Sequence, residues 1–501
     1  MSRTGPTAID RWTLAFWGCL AGFIVHQLAV VATADYGIFP DEAYYLDWSH
    51  RLDWGYFSKP HLLAWLLRAQ AMLCGEGPVC LRGVPVLAYA AAGALSFLTV
   101  RKWASSPAAF ATGAIFLTLP FVAYLSRIVS TDALLLTFWS AGLYALTAIV
   151  QGPARLGSWL VLGVVVGLGI MSKYTMGIFL LGMVFLFVWD RDARTALRGS
   201  GPWWALGLAA ALWAPNLVWN SHHEFITFGH LRELSHIERQ IDPRTGFGHF
   251  LLGQVLVAGP VALLGFAMAL VALPVAERRV RFFVSFALPS LALMGAQSLV
   301  GNTHANWAIT SYLGACALVG LWLTRRGRYQ ALGLMLALQV LAAGAITHFD
   351  TVVAAIGVPV EGKYDIYARM RGWRSLAERV RPRLGQDQSL GLMSDDRMVL
   401  AAMRYYLPAW DRPAARLNPS GGIHNQYDMR GYDPEGRYLL VARHADLASV
   451  RRYFREVRPL ETVSISSRYA ELHRYRLYFV RGWRGWPLPR AGEGAHWNTK
   501  W

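Results

Sequence analysis

The sequence predicts an α-helical membrane protein with many transmembrane spans and a small α/β domain at its C-terminal end. The 501 residues are 54% hydrophobic and 16% charged, whereas about a quarter of the residues in a soluble protein are charged. The shortage of charge is concentrated in residues 11–349, where apolar runs approach the roughly 17 to 25 residues that cross a bilayer. From residue 350 the composition is that of a water-soluble domain. We therefore expect a membrane domain at 1–349 and a soluble α/β domain at 350–501.

Apolar runs predict about eleven transmembrane helices, and arginine clusters predict their orientation. The clusters lie in alternate loops, and positive residues mark the cytoplasmic side of a membrane protein. A cytoplasmic N-terminus puts every cluster on that side, and an odd number of spans then puts the C-terminal domain outside the cytoplasm. The predicted spans are 11–33, 81–101, 106–124, 131–150, 157–172, 174–189, 203–220, 249–273, 281–300, 306–323 and 329–348.

These anchoring arginines also account for the formal net charge of +17. In a soluble protein that charge would favour nucleic-acid binding. Here many arginines lie in short loops between apolar runs, where membrane orientation explains them. We therefore expect membrane lipids as partners and no nucleic acid.

The C-terminal domain alternates helical and strand patterns, which predicts a small α/β layer. Apolar residues at helical spacing mark the predicted helices, and short apolar or alternating runs mark the strands. The predicted helices are 373–380 and 396–406, and the predicted strands are 390–393, 438–442 and 474–480.

The first loop, 34–80, places acids and aromatic rings directly after the first span. If its beginning is helical, Asp41, Tyr44 and Tyr45 share one side with Trp48. Rings of this kind stack on sugars, and carboxylates accept hydrogen bonds from sugar hydroxyls. An interfacial aromatic belt would explain the rings alone, but it needs no acid.

A lysine and a histidine follow in the same loop. Pro60 favours an extended backbone at Lys59, from which the ammonium could reach a phosphate. A lysine that extends toward lipid headgroups is the alternative. His61 adds a polar ring beside it. Cys74 and Cys80 could form a disulfide if this loop lies in an oxidising compartment, and the sequence leaves that open.

Other polar residues gather in the remaining loops of the same predicted face. Asp132 begins a span, where helix capping or a favourable helix dipole would explain an acid. Arg127 and Lys173 add positive charge near it and are candidate phosphate ligands. A charge beside the bilayer is costly unless water, a partner or a ligand satisfies it.

Histidines and an asparagine complete this set. His222, His223 and Glu224 could bind a metal, but their spacing matches no standard zinc motif. Hydrogen bonding to an acceptor is the other interpretation, and it applies to Asn306 as well.

Six short motifs together resemble one enzyme family. They occur in the family's order and resemble the bacterial polyprenyl- and dolichyl-phosphate-sugar glycosyltransferases of the GT-C fold, the protein mannosyltransferase superfamily that includes the lipid A aminoarabinose transferases. The resemblance covers about 30–325, and more loosely the runs that start at Arg371 and Arg404. The motifs are Asp41-Glu42-Ala43-Tyr44-Tyr45, Ser58-Lys59-Pro60, Thr131-Asp132, Ser172-Lys173-Tyr174, Trp219-Asn220 and Ala305-Asn306-Trp307.

The resemblance implies a transferase whose active site lies at the outer face of a bacterial inner membrane. The donor would be a sugar on polyprenyl phosphate. Asp41 corresponds to the family's first-loop acid, as base or acceptor-orienting group, Asp132 to its second acid, and Lys59 to a phosphate ligand. Ser58 stands where some relatives carry an acid, so a divalent metal cofactor stays open.

The chemistry agrees with the residues. A glycosyl phosphate is an activated donor, so direct displacement needs a base and cations at the leaving phosphate, and inverts the anomeric carbon. Lys59, Arg127 and Lys173 are the candidate cations. The acceptor would be a lipid, glycan or protein, and the residues expected to bind it or the sugar are Glu42, Tyr44, Tyr45, His61, His222 and Asn306.

The alternative function is a transporter or flippase for lipid-linked sugars. Such a protein would carry its polar residues near the bilayer midplane. Here the polar residues lie at one predicted interface, which favours the transferase. That prediction requires the separate polar stretches to meet in one cleft open to water.

Overall fold

The computed structural model describes residues 10–235, 242–301, 303–357, 360, 362–385, 387, 389–407, 411–419, 421–431, 433–466 and 471–484. The chain divides into two compact units. We call them the helical unit and the sheet unit. The helical unit consists of Met1–Ala34, Asp53–Gly55 and Lys59–Val352. The sheet unit consists of Asp35–Leu52, Tyr56–Ser58 and Val353–Trp501.

Helices dominate the described residues, and strands occur toward the C-terminal end. In chain order the helices are α1 (Arg11–Thr33), α2 (Pro40–Ser49), α3 (Leu62–Cys74), α4 (Pro78–Trp103), α5 (Ser106–Leu117), α6 (Pro120–Leu125), α7 (Thr131–Gln151), α8 (Leu156–Ser172), α9 (Ile178–Trp189), α10 (Arg191–Thr195), α11 (Gly201–His222), α12 (Ile226–Ser235), α13 (Pro243–Ala258), α14 (Pro260–Ala272), α15 (Arg278–Ser298), α16 (Ser311–Arg325), α17 (Tyr329–Thr347), α18 (Phe349–Ile356), α19 (Trp373–Leu384), α20 (Arg397–Tyr406), α21 (Gln426–Arg430) and α22 (Leu447–Tyr453). The strands are β1 (Leu390–Ser394), β2 (Ala414–Arg416), β3 (Arg437–Ala442), β4 (Phe454–Ser466) and β5 (Glu471–Trp483). Short 3₁₀ turns occupy Tyr174–Gly177, Ala196–Arg198, Ala305–Ala308, Gly362–Tyr364 and Ala368–Met370.

Every predicted span falls on a helix or on consecutive helices. Among the described residues, five helices are long and apolar enough to cross a membrane: α1, α4, α7, α15 and α17. The bent pair of α13 and α14 makes a sixth if it is one span, and shorter apolar helices occupy Ser106–Leu117, Leu156–Ser172 and Tyr174–Trp189. A multi-span helical membrane protein is therefore confirmed, whereas eleven crossings stays a prediction.

Glycine and proline interrupt two of the predicted spans. α13 and α14 meet at 103°, where Gly259 has φ of +80° and Pro260 begins the second helix. Glycine adopts positive φ without steric cost, and proline lacks the N–H that would continue a helix. Pro120 likewise begins α6 after α5 ends at Leu117.

Small residues packed against rings and backbone build the core of the helical unit. Phe16 stacks on Phe97 with 4.2 Å between ring centroids, and the bare Cα of Gly113 faces the Phe16 ring. At Gly320 an added Cβ would lie 2.9 Å from the Ala108 carbonyl oxygen. Lipid tails are as apolar as the helices, so close contacts of small residues supply much of the packing between membrane helices.

The sheet unit contains a five-stranded mixed sheet in the order β2-β1-β3-β5-β4. β1 pairs in parallel with β2 and β3, and β5 pairs antiparallel with β3 and β4. β1 is buried along its whole length, as expected for a central strand in parallel pairing. The predicted elements 373–380, 390–393, 396–406, 438–442 and 474–480 are confirmed as α19, β1, α20, β3 and β5.

Cys74 and Cys80 form a disulfide, with 6.0 Å between their Cα atoms. Cys74 ends α3 and Cys80 lies in the first turn of α4. Gly75, with φ of +82°, makes the turn between them, and the Gln70 amide donates a hydrogen bond to the Gly75 carbonyl at 2.5 Å. The pairing that the sequence left open is therefore present in the structure.

Candidate functional site

The acidic run of the first loop forms α2, a helix of the sheet unit. Pro40 opens the helix, where its missing N–H has no helical partner in any case. The Glu42 carboxylate accepts the backbone N–H of Phe39 at 2.8 Å, and acids in a first turn also suit the helix dipole. Glu42 is fully buried, so its position is that of a helix cap. Its contact with a sugar stays a prediction.

Asp41 pairs with an arginine from the other end of the sequence. Arg397, the first residue of α20, donates from Nη1 to Asp41 Oδ1 at 2.9 Å. Both side chains keep some exposure, 20% for Arg397 and 28% for Asp41. Burial by itself would lower the pKa of Arg397, but the Asp41 carboxylate together with Tyr44 and Tyr45 raises it above its ordinary value. The arginine therefore stays charged and orients a carboxylate that water can still reach.

The two tyrosines of α2 are buried in the sheet unit. The Tyr44 hydroxyl accepts the backbone N–H of Gln426 at 2.6 Å, and burial raises the Tyr44 pKa. Its ring lies under the Arg397 guanidinium at 5.0 Å. Tyr45 packs against Trp48 with 5.0 Å between ring centroids. These contacts pack α2 against the rest of the sheet unit. Sugar binding by either tyrosine stays a prediction.

Asp47, two turns along the same helix, holds a buried network of charges. Its Oδ1 accepts from Arg404 Nε at 2.9 Å, and its Oδ2 accepts from Arg430 Nη1 at 2.7 Å. Burial by itself would raise the Asp47 pKa, but the two guanidinium groups lower it below its ordinary value. Asp47 thus joins α2 to α20 and α21 within the sheet unit.

The helical unit brings three predicted site residues into one buried cluster. Asp132 lies in the first turn of α7, Lys173 directly follows α8, and Asn306 lies in a 3₁₀ turn. Lys173 Nζ donates to Asp132 Oδ1 at 2.5 Å, and Asn306 Nδ2 donates to Asp132 Oδ2 at 3.0 Å. Both carboxylate oxygens therefore accept side-chain donors from distant parts of the chain, which helix capping alone would not require.

This cluster can hold a cation ready for an anionic ligand. Asp132 is 6% exposed and Lys173 8%, and a buried ion pair is retained only when its geometry repays the loss of hydration. An ammonium carries three N–H donors, and Asp132 accepts one of them. Charged residues within a membrane domain commonly mark a functional site.

Lys59 and His61 lie in the turn that precedes α3. An isolated β-bridge pairs Gly55 with Pro60 and fixes the backbone next to Lys59, which is half-buried. His61 is buried, and its Nδ1 lies 2.9 Å from the Trp54 carbonyl oxygen. Burial lowers the His61 pKa, so the ring is neutral at pH 7 and serves as a hydrogen-bonding group rather than a charge.

The remaining two predicted residues differ in burial. Arg127 is 1% exposed, and its Nε and Nη2 donate to the Ala123 carbonyl at 3.3 and 3.0 Å. His222, the last residue of α11, is exposed. The roles of both in ligand binding stay predictions. Within the described parts of the chain, no group of three His, Cys, Asp or Glu side chains is placed to hold a metal ion.

Sequence reasoning assigned no site role to Arg397, Arg430 or Asp47. Their contacts join residues more than 350 positions apart, and no local sequence pattern indicates a contact at that separation. Arg404 lies in a run that supported the family resemblance, but nothing in that run indicated a carboxylate partner. The one local signal was Asp47 itself, an acid between the aromatic residues Tyr45 and Trp48.

Known proteins resemble both the sequence and the fold. Residues 58–219 match the family of the dolichyl-phosphate-mannose-protein mannosyltransferases. The lipid A galacturonosyltransferase RgtD of Rhizobium johnstonii is 31% identical over 306 residues, which are 60% of this chain and 64% of RgtD. The chain thus matches less than two thirds of the length of that relative.

Two solved structures share the fold at low sequence identity. ArnT from Cupriavidus metallidurans in the apo state has a TM-score of 0.64 and 14% identity, over 93% of this chain and 98% of ArnT. The same protein bound to undecaprenyl phosphate has a TM-score of 0.62 with the same identity and coverage. The chain therefore has the ArnT fold, and residues 58–219 are similar to the mannosyltransferase family that the motifs resemble.

Proposed function

We propose that this protein transfers a sugar from a polyprenyl-phosphate donor to an acceptor at the extracytoplasmic face of a bacterial inner membrane. The observation that carries the proposal is the buried cluster of Asp132, Lys173 and Asn306, in a chain with the fold of ArnT. ArnT binds undecaprenyl phosphate, and that ligand offers the kind of anion a preset lysine would bind.

The donor end of the reaction needs positive charge. As the glycosidic C–O bond breaks, negative charge develops on the phosphate oxygens, and cations fixed in advance stabilise that charge. Lys173 is fixed by Asp132, and we assign it to the departing phosphate together with Lys59 and Arg127. Asp132 acts on the reaction through Lys173, by holding its ammonium in place.

The acceptor end needs a base. We assign Asp41 to remove the acceptor hydroxyl proton as its oxygen attacks the anomeric carbon. The bond to polyprenyl phosphate breaks in the same displacement, so the anomeric configuration inverts. The Asp41 side chain is 28% exposed, so an acceptor hydroxyl can approach its carboxylate.

The substrates follow from the relative named above. RgtD is described as a lipid A galacturonosyltransferase, so we propose lipid A as the acceptor and a uronic acid as the sugar. A glycan or a protein acceptor remains the alternative that the residues allow. For topology we retain about eleven crossings, with the N-terminus in the cytoplasm and residues 350–501 outside it.

The proposal is tested by transfer in proteoliposomes. The purified full chain is mixed with undecaprenyl-phosphate galacturonic acid and lipid A, and mass spectrometry records the lipid A product. Asp41→Asn is expected to lower the transfer rate at least about 100-fold, since general-base catalysis contributes about 10²- to 10⁴-fold. Donor binding should persist, because Asp41 acts on the acceptor.

Asp35→Asn is the matched control, since Asp35 is an exposed acid of the same loop. It should transfer sugar at the wild-type rate. A chain that gives no product with lipid A, glycan or protein acceptors would exclude the transferase. Undiminished transfer by Asp41→Asn would remove Asp41 from catalysis and leave the transferase itself standing.

A further inference from the structure

The C-terminal end of α11 contacts two separate segments of the helical unit that lead to predicted phosphate ligands. Three of its side chains lie on one face, at the spacings of three and four residues that bring helical side chains together. They are Asn216, Trp219 and Asn220, and we call them the α11 cluster. All three are buried. Polar side chains inside a membrane domain are costly and commonly mark a functional site.

The first segment is the turn that carries Lys173. Tyr174 follows this lysine directly and begins a 3₁₀ turn. The Tyr174 hydroxyl donates to Asn216 Oδ1 at 2.6 Å and accepts from Asn220 Nδ2 at 3.3 Å. Two buried amides of α11 therefore hold the residue next to the lysine.

The second segment is the first-loop backbone at Trp54. Asn216 Nδ2 donates to the Trp54 carbonyl oxygen at 2.7 Å. Gly55 packs against the ring of Trp219 so closely that an added Cβ would overlap it. Gly55 is in turn bridged to the residue that follows Lys59. The α11 cluster therefore fixes the backbone on the approach to this second lysine.

One orientation of the Asn216 amide fits both contacts. A carbonyl oxygen can only accept hydrogen bonds, so the Trp54 carbonyl takes the amide nitrogen and leaves Oδ1 for the Tyr174 hydroxyl. Each end of the side chain thus faces a different segment. Lys173 and Lys59 are assigned to the same departing phosphate, and a displacement of about 1 Å at a reacting group can cost about 100-fold in rate.

The Trp54 carbonyl also sets the tautomer of His61. The distance from His61 Nδ1 to this oxygen is 2.9 Å. Because the oxygen accepts, Nδ1 carries the hydrogen, and Nε2 of the neutral ring is a hydrogen-bond acceptor. Asn216 is the second donor to the same carbonyl, so its loss would also loosen the support of the His61 ring.

We propose that Asn216 is a positioning residue for the donor phosphate, which sets the distance between the turn of Lys173 and the loop of Lys59. This inference rests on the proposed function, since it takes both lysines to bind the phosphate of the donor. Asn216 acts through these lysines and touches no reacting atom. A role in packing alone would lower the stability of the chain and leave its affinity for the donor phosphate unchanged.

The first measurement is binding of undecaprenyl phosphate, which requires no transfer. The purified full chain in detergent is titrated with this lipid by isothermal titration calorimetry. Asn216→Leu should weaken binding about ten- to hundredfold, because both segments lose their common partner. Tyr174→Phe removes one hydrogen bond and should weaken binding about three- to tenfold. It also carries the test if Asn216→Leu does not fold.

Gln339→Leu is the matched control for the loss of a buried amide. Gln339 belongs to the helical unit and is 3% exposed, and its Oε1 accepts from the Thr118 hydroxyl at 2.9 Å. This variant should bind undecaprenyl phosphate as the wild type does. Wild-type binding by folded Asn216→Leu and Tyr174→Phe variants would overturn the proposal.

The second measurement is transfer in proteoliposomes. Asn216→Leu should lower kcat/KM for the donor about ten- to hundredfold and leave the acceptor KM unchanged. In a Lys173→Met chain the further loss from Asn216→Leu should be smaller, because one of the cations that it positions is already gone. Independent effects on rate multiply, since their free energies add. Losses that multiply in full would mean that Asn216 acts elsewhere and would overturn the proposal.

The outcomes also separate this proposal from the transferase itself. A chain that transfers sugar, but whose Asn216→Leu and Tyr174→Phe variants bind undecaprenyl phosphate normally, keeps its enzymatic function and loses the positioning residue. A chain that transfers nothing but binds undecaprenyl phosphate through Asn216 loses the transferase and keeps a phosphate site that Asn216 positions. A chain that does not bind this lipid would overturn both.

Discussion

Replacing Asp47 by alanine tests whether buried charge holds α2 in the sheet unit. The carboxylate accepts bonds of 2.9 and 2.7 Å from Arg404 and Arg430, and the Arg404 side chain is 1% exposed. Removing one partner of a buried pair leaves an uncompensated charge, which costs about 3–5 kcal/mol. One kcal/mol moves the melting temperature of a 150–250-residue domain by about 2–4 °C, so a loss of about 6–20 °C is expected for the sheet unit.

Thermal unfolding of the full chain in detergent gives this shift, and hydrogen exchange locates it. Amides of α20 and α21 should lose protection in Asp47→Ala. Asp387→Ala is the control, because its pair with Arg437 is exposed on both sides and such pairs contribute about 0–1 kcal/mol. If Asp47→Ala melted within about 2 °C of the wild type, the buried network would not hold the helix, and our account of α2 would be wrong.

Three further predictions follow from the other contacts. Asp132→Asn should lower the transfer rate about 100-fold, as removal of a preset electrostatic group does. Asn306→Ala removes one hydrogen bond and should lower the rate about tenfold. Equal effects of the two variants would mean that Lys173 does not need the carboxylate charge. His473 has a pKa of about 4, lowered by burial and then by Arg443. Between pH 6.5 and 4 the unfolded chain binds the proton first, so stability should fall through this window as pH drops and level off below it. His473→Gln should make the melting temperature depend less on pH in this window, and an unchanged slope of melting temperature against pH would contradict this. In a Cys19→Ser, Cys316→Ser background, which removes the two free cysteines, the disulfide of Cys74 and Cys80 should block labelling by a thiol reagent in intact cells until a reductant is added. Labelling without reductant would contradict it.

The sequence predicted the helices and the central strands because their patterns are local. Each predicted span contains an apolar run that is helical in the structure, and β1 and β3 are short apolar runs. The breaks within the spans were not predicted. Gly259-Pro260 causes a bend of 103°, yet two residues change the mean hydropathy of a long apolar run very little.

Polar composition concealed the remaining strands. β4 is an edge strand of the sheet, and it carries Arg455, Glu456, Arg458 and Glu461. Charged residues suit an exposed edge because they discourage pairing with other chains. They also hide the apolar alternation that identifies a strand. β2 has three residues, too few to show any period.

The candidate site was predicted as residue types but not as contacts. Asp132, Lys173 and Asn306 were each identified from polar residues beside apolar runs, and the structure brings these three together. The partners of Asp41 and Asp47 were missed because Arg397, Arg404 and Arg430 follow them by more than 350 residues. Only the fold of the sheet unit decides which of many arginines meets each acid.

Release of undecaprenyl phosphate by the Lys173→Met variant tests the central claim most directly. The claim is that a lysine fixed by Asp132 stabilises the departing phosphate. The purified wild-type chain should release one undecaprenyl phosphate for every sugar transferred, and Lys173→Met should lower that rate about 100-fold or more. Lys102→Met, which changes an exposed lysine, should release it at the wild-type rate. Wild-type release by a folded Lys173→Met variant would contradict the claim.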